Sequence, residues 1–101
     1  MDLIKIAQET FHTEADALYK AAERLDQNFL DAISLILRTK GKLIITGVGK
    51  SGLVGAKMAA TFASTGTSSF FLHPTEALHG DLGMIGKSDT LLAISSSGES
   101  E

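Results

Sequence analysis

At 101 residues, with 44% hydrophobic and 21% charged side chains, the chain has room for one globular domain and not two. A formal net charge of -3 gives no electrostatic ground for binding nucleic acid, and zero cysteines exclude disulfides and thiolate chemistry and fit a cytoplasmic protein. The opening Met-Asp-Leu-Ile-Lys-Ile mixes charges without a long apolar core, so it reads as neither a signal peptide nor a membrane span.

Taken in order, Ile4, Ala7, Phe11, Ala15, Leu18, Ala22 and Leu25 recur at spacings of three and four, which predicts one long amphipathic helix with a charged outer face. His12 is a surface or interface residue on it. A second helix is expected to start near Asp26 or Asn28, either of which can cap it, and to run through Phe29, Ile33, Ile36 and Leu37 to a stop at Gly41. Two helices ahead of the first strand exceed what a minimal α/β unit needs. They either cover one sheet face, or the first packs against another subunit.

The first strand is Leu43, Ile44 and Ile45, followed by a turn holding Gly47, Gly49 and Gly52, then an Ala-rich helix expected over 52–65. Glycines at such a strand-to-helix turn let the main chain approach a ligand, the helix start attracts anions, and Lys50 and Ser51 add a positive charge and a hydroxyl. The turn therefore reads as a phosphate-binding loop; the bland alternative is a turn that only packs helix on strand. Gly47-x-Gly49-x-x-Gly52 formally fits the dinucleotide fingerprint, but the next strand, 69–72, ends in His73-Pro74 where an acidic ribose ligand belongs. The Walker pattern fails too, since its first glycine would fall at Ile44.

An irregular stretch, 73–81, carries His73, Glu76, His79 and Asp81. The third strand is expected over 90–94, running into Ser95-Ser-Ser97-Gly-Glu-Ser-Glu101, a second hydroxyl-rich loop whose bland reading is a polar terminus. Alternating strands and helices imply a parallel sheet. If the first strand lies between the other two, both loops share its carboxyl edge at the point where the winding reverses, the usual ligand position. The chain stops where a covering helix is needed, so it reads as the first part of a longer α/β domain: a helical lead-in at 1–41 and a βαβαβ core at 42–101.

The runs Gly47-Val-Gly-Lys-Ser-Gly, Thr61-Phe-Ala-Ser-Thr-Gly-Thr, Phe71-Leu-His-Pro-Thr-Glu-Ala-Leu-His-Gly-Asp-Leu-Gly-Met and Ile94-Ser-Ser-Ser-Gly-Glu-Ser resemble the sugar isomerase (SIS) domain, and within it the KpsF/GutQ group of D-arabinose 5-phosphate isomerases. The resemblance covers nearly the whole chain. It implies a flavodoxin-like three-layer sandwich, here truncated after the third strand, in a homo-oligomer that is usually a tetramer. It further implies interconversion of arabinose 5-phosphate and ribulose 5-phosphate, feeding Kdo synthesis for lipopolysaccharide or capsule.

Residue by residue, the resemblance makes Lys50 the catalytically important lysine and places Gly66, Thr67, His73 and His79 around the sugar phosphate, with His73 also at a position that can hold zinc. It places the family's candidate catalytic glutamate one residue beyond Glu101. Aldose–ketose isomerisation passes through an enediol and needs a base near neutral pKa and an oxyanion stabiliser. On those grounds Lys50 meets the phosphate or the oxyanion, His79 assists ring opening or proton transfer, and Ser51, Ser95 and Ser97 offer hydroxyls to the substrate. No cofactor is required. The six-residue separation of His73 and His79 is not a recognised metal spacing. The alternative to an isomerase is a non-catalytic SIS module that senses a phosphosugar, with an NAD-binding domain a distant third.

Overall fold

A computed structural model describes residues 1–75, 83 and 85–95. It contains helices α1 (Leu3–Glu23), α2 (Gln27–Leu37) and α3 (Lys50–Ser64), and strands β1 (Leu43–Gly47), β2 (Ser69–Phe71) and β3 (Thr90–Ile94). Two compact units divide the chain, Met1–Ile33 and Ser34–Glu101.

In the first unit, Asp2 caps α1 by accepting a hydrogen bond from the Lys5 N–H at 3.0 Å. Asp26 does the same ahead of α2, accepting from the Asn28 N–H at 2.9 Å. Of the two caps the sequence allowed, Asp26 is the one used. No residue of α1 is buried.

The second unit is an open, fully parallel sheet in the order β2-β1-β3. Leu43 pairs with Ser69 on one side and Thr90 on the other, and Gly47 pairs with Ile94 at the far end. β1 is thus central, and its Leu43, Ile44 and Ile45 are completely buried. That matches the continuous apolar run of a parallel strand covered on both faces. Leu43 and Ile45 form the core with Ala59 of α3, and Ile36, Met58, Phe62, Phe71, Leu92 and Ile94 pack around them.

α3 sits close on the sheet because its sheet-facing positions are small. A Cβ on Gly55 would meet Ile45 Cγ2 at 3.0 Å and Phe71 Cε1 at 3.2 Å, and one on Gly52 would meet the Gly47 carbonyl oxygen at 2.6 Å. Of the helix's alanines only Ala59 is buried, while Ala56, Ala60 and Ala63 are exposed, so the close approach is set by Gly52 and Gly55 rather than by the alanine pattern.

Two helix boundaries differ from expectation by more than one residue. α2 stops at Leu37, four residues before Gly41, where the Thr39 N–H bonds the Ile36 carbonyl. Gly41 serves another purpose: a Cβ there would collide with a carboxylate oxygen of Asp89. Asp89 accepts the N–H groups of Lys42 and Gly86, each at 2.7 Å, while Gly41 N–H bonds the Ser88 carbonyl at 2.8 Å. These bonds staple the start of β1 to the start of β3, and they hold the Asp89 carboxyl below its ordinary pKa. α3, in turn, begins at Lys50 rather than at Gly52.

Candidate functional site

The early start of α3 puts Lys50 and Ser51 in the first helical turn instead of in a loop. Gly49 is the N-cap, with φ 60° and ψ -129°, and it supplies no side-chain hydrogen bond. An L side chain is strained at that backbone geometry, so glycine is what lets the chain turn directly from β1 into the helix. The unsatisfied N–H groups of a first turn carry a partial positive charge. Here the Gly52 N–H bonds the Val48 carbonyl at 3.4 Å and the Leu53 N–H the Gly49 carbonyl at 3.2 Å, which leaves the N–H groups of the exposed Lys50 and the half-buried Ser51 for a ligand. Among the described residues no carboxylate pairs with Lys50. The arrangement suits an anion with several oxygen acceptors.

The same edge receives the ends of the other strands. β3 ends opposite Gly47, so Ser95, exposed, follows directly beside the glycine turn. On the other side the Leu72 N–H bonds the Ile45 carbonyl at 2.8 Å, extending the ladder by one bond and delivering His73 to this edge. His73 is exposed, packs edge-on to Phe71 with ring centroids 6.4 Å apart, and accepts the Thr75 N–H at Nδ1 at 3.1 Å. Lys50, Ser51, His73 and Ser95 therefore share the carboxyl edge at the winding reversal, and β1 lies between β2 and β3 as that requires. His79, Ser97, Glu76, Asp81, Glu99 and Glu101 lie outside the described residues.

Gly66 and Thr67 do not join this group. They precede β2, at the amino edge, one β1 length away; four strand steps at roughly 3.3 Å each put about 13 Å between the two edges. Their local role is to end α3. Gly66 takes φ 104° just past the helix, and the Thr67 N–H returns to the Phe62 carbonyl at 2.9 Å, the bond of a Schellman stop. They also line a 330 Å³ cavity with Ile36, Thr39, Leu43 and Ser68, among others, and no charged side chain lines it to meet a phosphate.

Nothing among the described residues supports zinc at His73. Among the described residues no three His, Cys, Asp or Glu side chains come together, and one nitrogen of the His73 ring is already engaged by Thr75.

The SIS domain model matches residues 36–101, which holds all of the sheet and both edges. The chain belongs to the SIS domain family. This SIS chain is 57% identical over 100 residues to the arabinose 5-phosphate isomerase KdsD of Francisella tularensis, covering 96% of this chain and 31% of that one. It is 52% identical over 98 residues to the protein of the same name from Pseudomonas aeruginosa, covering 97% and 30%. It thus spans about a third of the length of these curated relatives. An Escherichia coli protein solved in complex with arabinose 5-phosphate superposes with a TM-score of 0.92 at 46% identity, over 98% of this chain and 53% of the solved one. No helix among the described residues is long and apolar enough to cross a membrane.

Proposed function

We propose that this SIS chain is the first part of a single domain that interconverts D-arabinose 5-phosphate and D-ribulose 5-phosphate, in the cytoplasm, on the route to Kdo for lipopolysaccharide or capsule. The observation that carries the reading is the pairing of Lys50 with the uncapped first turn of α3 at the carboxyl edge of the central strand. The N–H groups there and the Ser51 hydroxyl hold the phosphate, an assignment supported by the dipole at a helix start and by the approach that Gly49 permits.

In the reaction, a base removes the hydrogen on C2 of the open-chain aldose as a proton. Its electron pair becomes the C1–C2 double bond of the enediol, and the former carbonyl oxygen takes up the developing charge and then a proton. A proton delivered to C1, with loss of the C2 hydroxyl proton, leaves the carbonyl at C2. Lys50 is assigned to the phosphate or to that oxyanion, a cation serving the bound anion or the charge that develops along the reaction path. His79 is assigned to ring opening or proton transfer, and His73, Ser95 and Ser97 to the sugar hydroxyls. The principal base is assigned to a residue following Glu101.

Gly66 and Thr67 cannot reach a sugar phosphate held at Lys50 of the same chain, given the separation of the two edges described above. Their part in binding requires a second copy that brings its amino edge to this carboxyl edge, in keeping with a homotetramer. The test is a chimera in which these residues replace the matching stretch of the Francisella tularensis relative, assayed for ketose formation from pentose phosphates. Turnover of arabinose 5-phosphate, falling at least a hundred-fold with Lys50→Ala, supports the reading. A folded chimera inert towards every pentose phosphate overturns it.

A further inference from the structure

The end of β2 fixes the ring of His73 in four ways. Leu72, which is buried, ties the backbone to β1 through its N–H bond to the Ile45 carbonyl, and Pro74 confines His73 to the extended region. The ring stands edge-on to Phe71, with 81° between the planes. The fourth constraint decides its chemistry: Nδ1 accepts the Thr75 N–H at 3.1 Å. A backbone N–H can only donate, so Nδ1 carries the lone pair and the neutral ring keeps its proton on Nε2. His73 is exposed, and among the described residues nothing bonds Nε2.

We infer that His73 is a hydrogen-bond donor set in place by Phe71 and the Thr75 main chain, that its Nε2–H goes to an acceptor oxygen of the sugar, and that it takes no part as a proton-abstracting base. The inference deepens the isomerase reading and rests on it for the ligand; the tautomer rests on the Thr75 hydrogen bond alone. A neutral imidazole has one lone pair, and here it is spent on Thr75. To take a proton at the outward nitrogen, the ring must first move its own proton to Nδ1. That breaks the Thr75 bond and sets two N–H groups against each other. Donation needs no such change, and a ring whose direction is already fixed loses little freedom when the sugar binds. The acceptor is a sugar oxygen because the phosphate is held at the start of α3, on the same edge. Of the two histidines assigned to the sugar, this leaves His79 for proton transfer. Phe71 and Thr75 are positioning residues, Thr75 through its N–H rather than its side chain.

Nitrogen-15 NMR of the histidine-labelled chain reads the tautomer. The chain has three histidines, and His12→Gln and His79→Gln assign the His73 signals. The neutral His73 ring is expected to show a protonated Nε2 and a bare Nδ1. Thr75→Pro, which removes the N–H, should admit the second tautomer, and Thr75→Ala, which keeps it, should not. The Thr75 amide should exchange roughly two- to ten-fold faster in His73→Ala. A parent ring protonated on Nδ1, or mixed, overturns the inference. The donor role is read in the chimera. Asn at 73 can still accept the Thr75 N–H but has no donor at the Nε2 position, whereas Gln carries an amide N–H out to about that position. His73→Asn should therefore raise KM about three- to ten-fold with a smaller change in kcat, and His73→Gln should raise it less. A loss of kcat at unchanged KM, equal in the two variants, overturns the donor role in favour of a base. A chimera inert with His73 in place overturns the isomerase reading, and the NMR result then still decides the tautomer.

Discussion

Replacing Gly52 with alanine sets two effects of opposite sign against each other. Within a helix, alanine is favoured over glycine by about 1 kcal/mol. At this position, however, the new Cβ would lie 2.6 Å from the Gly47 carbonyl oxygen and 3.5 Å from Phe71 Cζ. The nearer atom is backbone of the central strand, so relief requires α3 to lift from the sheet rather than a side chain to turn. Such overpacking costs roughly 1–3 kcal/mol, at the upper end where neither partner can yield. The net expectation is a loss of about 1–2 kcal/mol, and for a domain of this size each kcal/mol lowers the melting temperature by roughly 4–8 °C. Thermal and urea unfolding followed by circular dichroism measure this directly. Gly55→Ala, whose Cβ would meet only side-chain atoms, at 3.0 Å or more, should lose less. A Gly52→Ala chain as stable as the parent would refute the close approach of α3 to β1, and with it the way the glycine turn is formed.

Ile45→Ala removes a fully buried side chain from the central strand and should cost about 2–5 kcal/mol, read as a lower urea midpoint with an unchanged slope. Lys50→Ala, at an exposed position, should change stability by no more than about 0.5 kcal/mol while removing any stabilisation by arabinose 5-phosphate. Asp89 has a lowered folded-state pKa, so its contribution is full above the ordinary carboxylate value near about 4 and is lost as pH falls through the lower folded value. Asp89→Asn should therefore flatten the acid limb of the stability curve in that window, as measured by unfolding midpoints at stepped pH.

The sheet was legible because its signals are local. Leu43-Ile-Ile and residues 90–94 are short apolar runs bounded by turn residues, and the glycine turn between strand and helix fixed the crossover. Gly41 was misread because its reason is not local: it makes room for Asp89, far along the chain, and the α2 pattern nearby offered a more familiar use for a glycine. α3 began early for a related reason, since Gly49 at positive φ let the helix start immediately and brought Lys50 and Ser51 into it. Gly66 and Thr67 show what a motif leaves unsaid: it names residues without saying which edge of the sheet they occupy, and within one chain these two end α3 at the amino edge, where the Thr67 N–H bonds the Phe62 carbonyl.

The central claim is that the start of α3 is a phosphate site for a sugar. Thermal unfolding of this chain with arabinose 5-phosphate, with free arabinose as the control, tests it most directly, because a ligand that binds only the folded state must raise the midpoint; a ligand at about 100 times its Kd adds about 2.7 kcal/mol. A phosphate site at α3 predicts a rise with the phosphosugar and none with arabinose. A cooperative transition that neither ligand moves, or that both move equally, would contradict it.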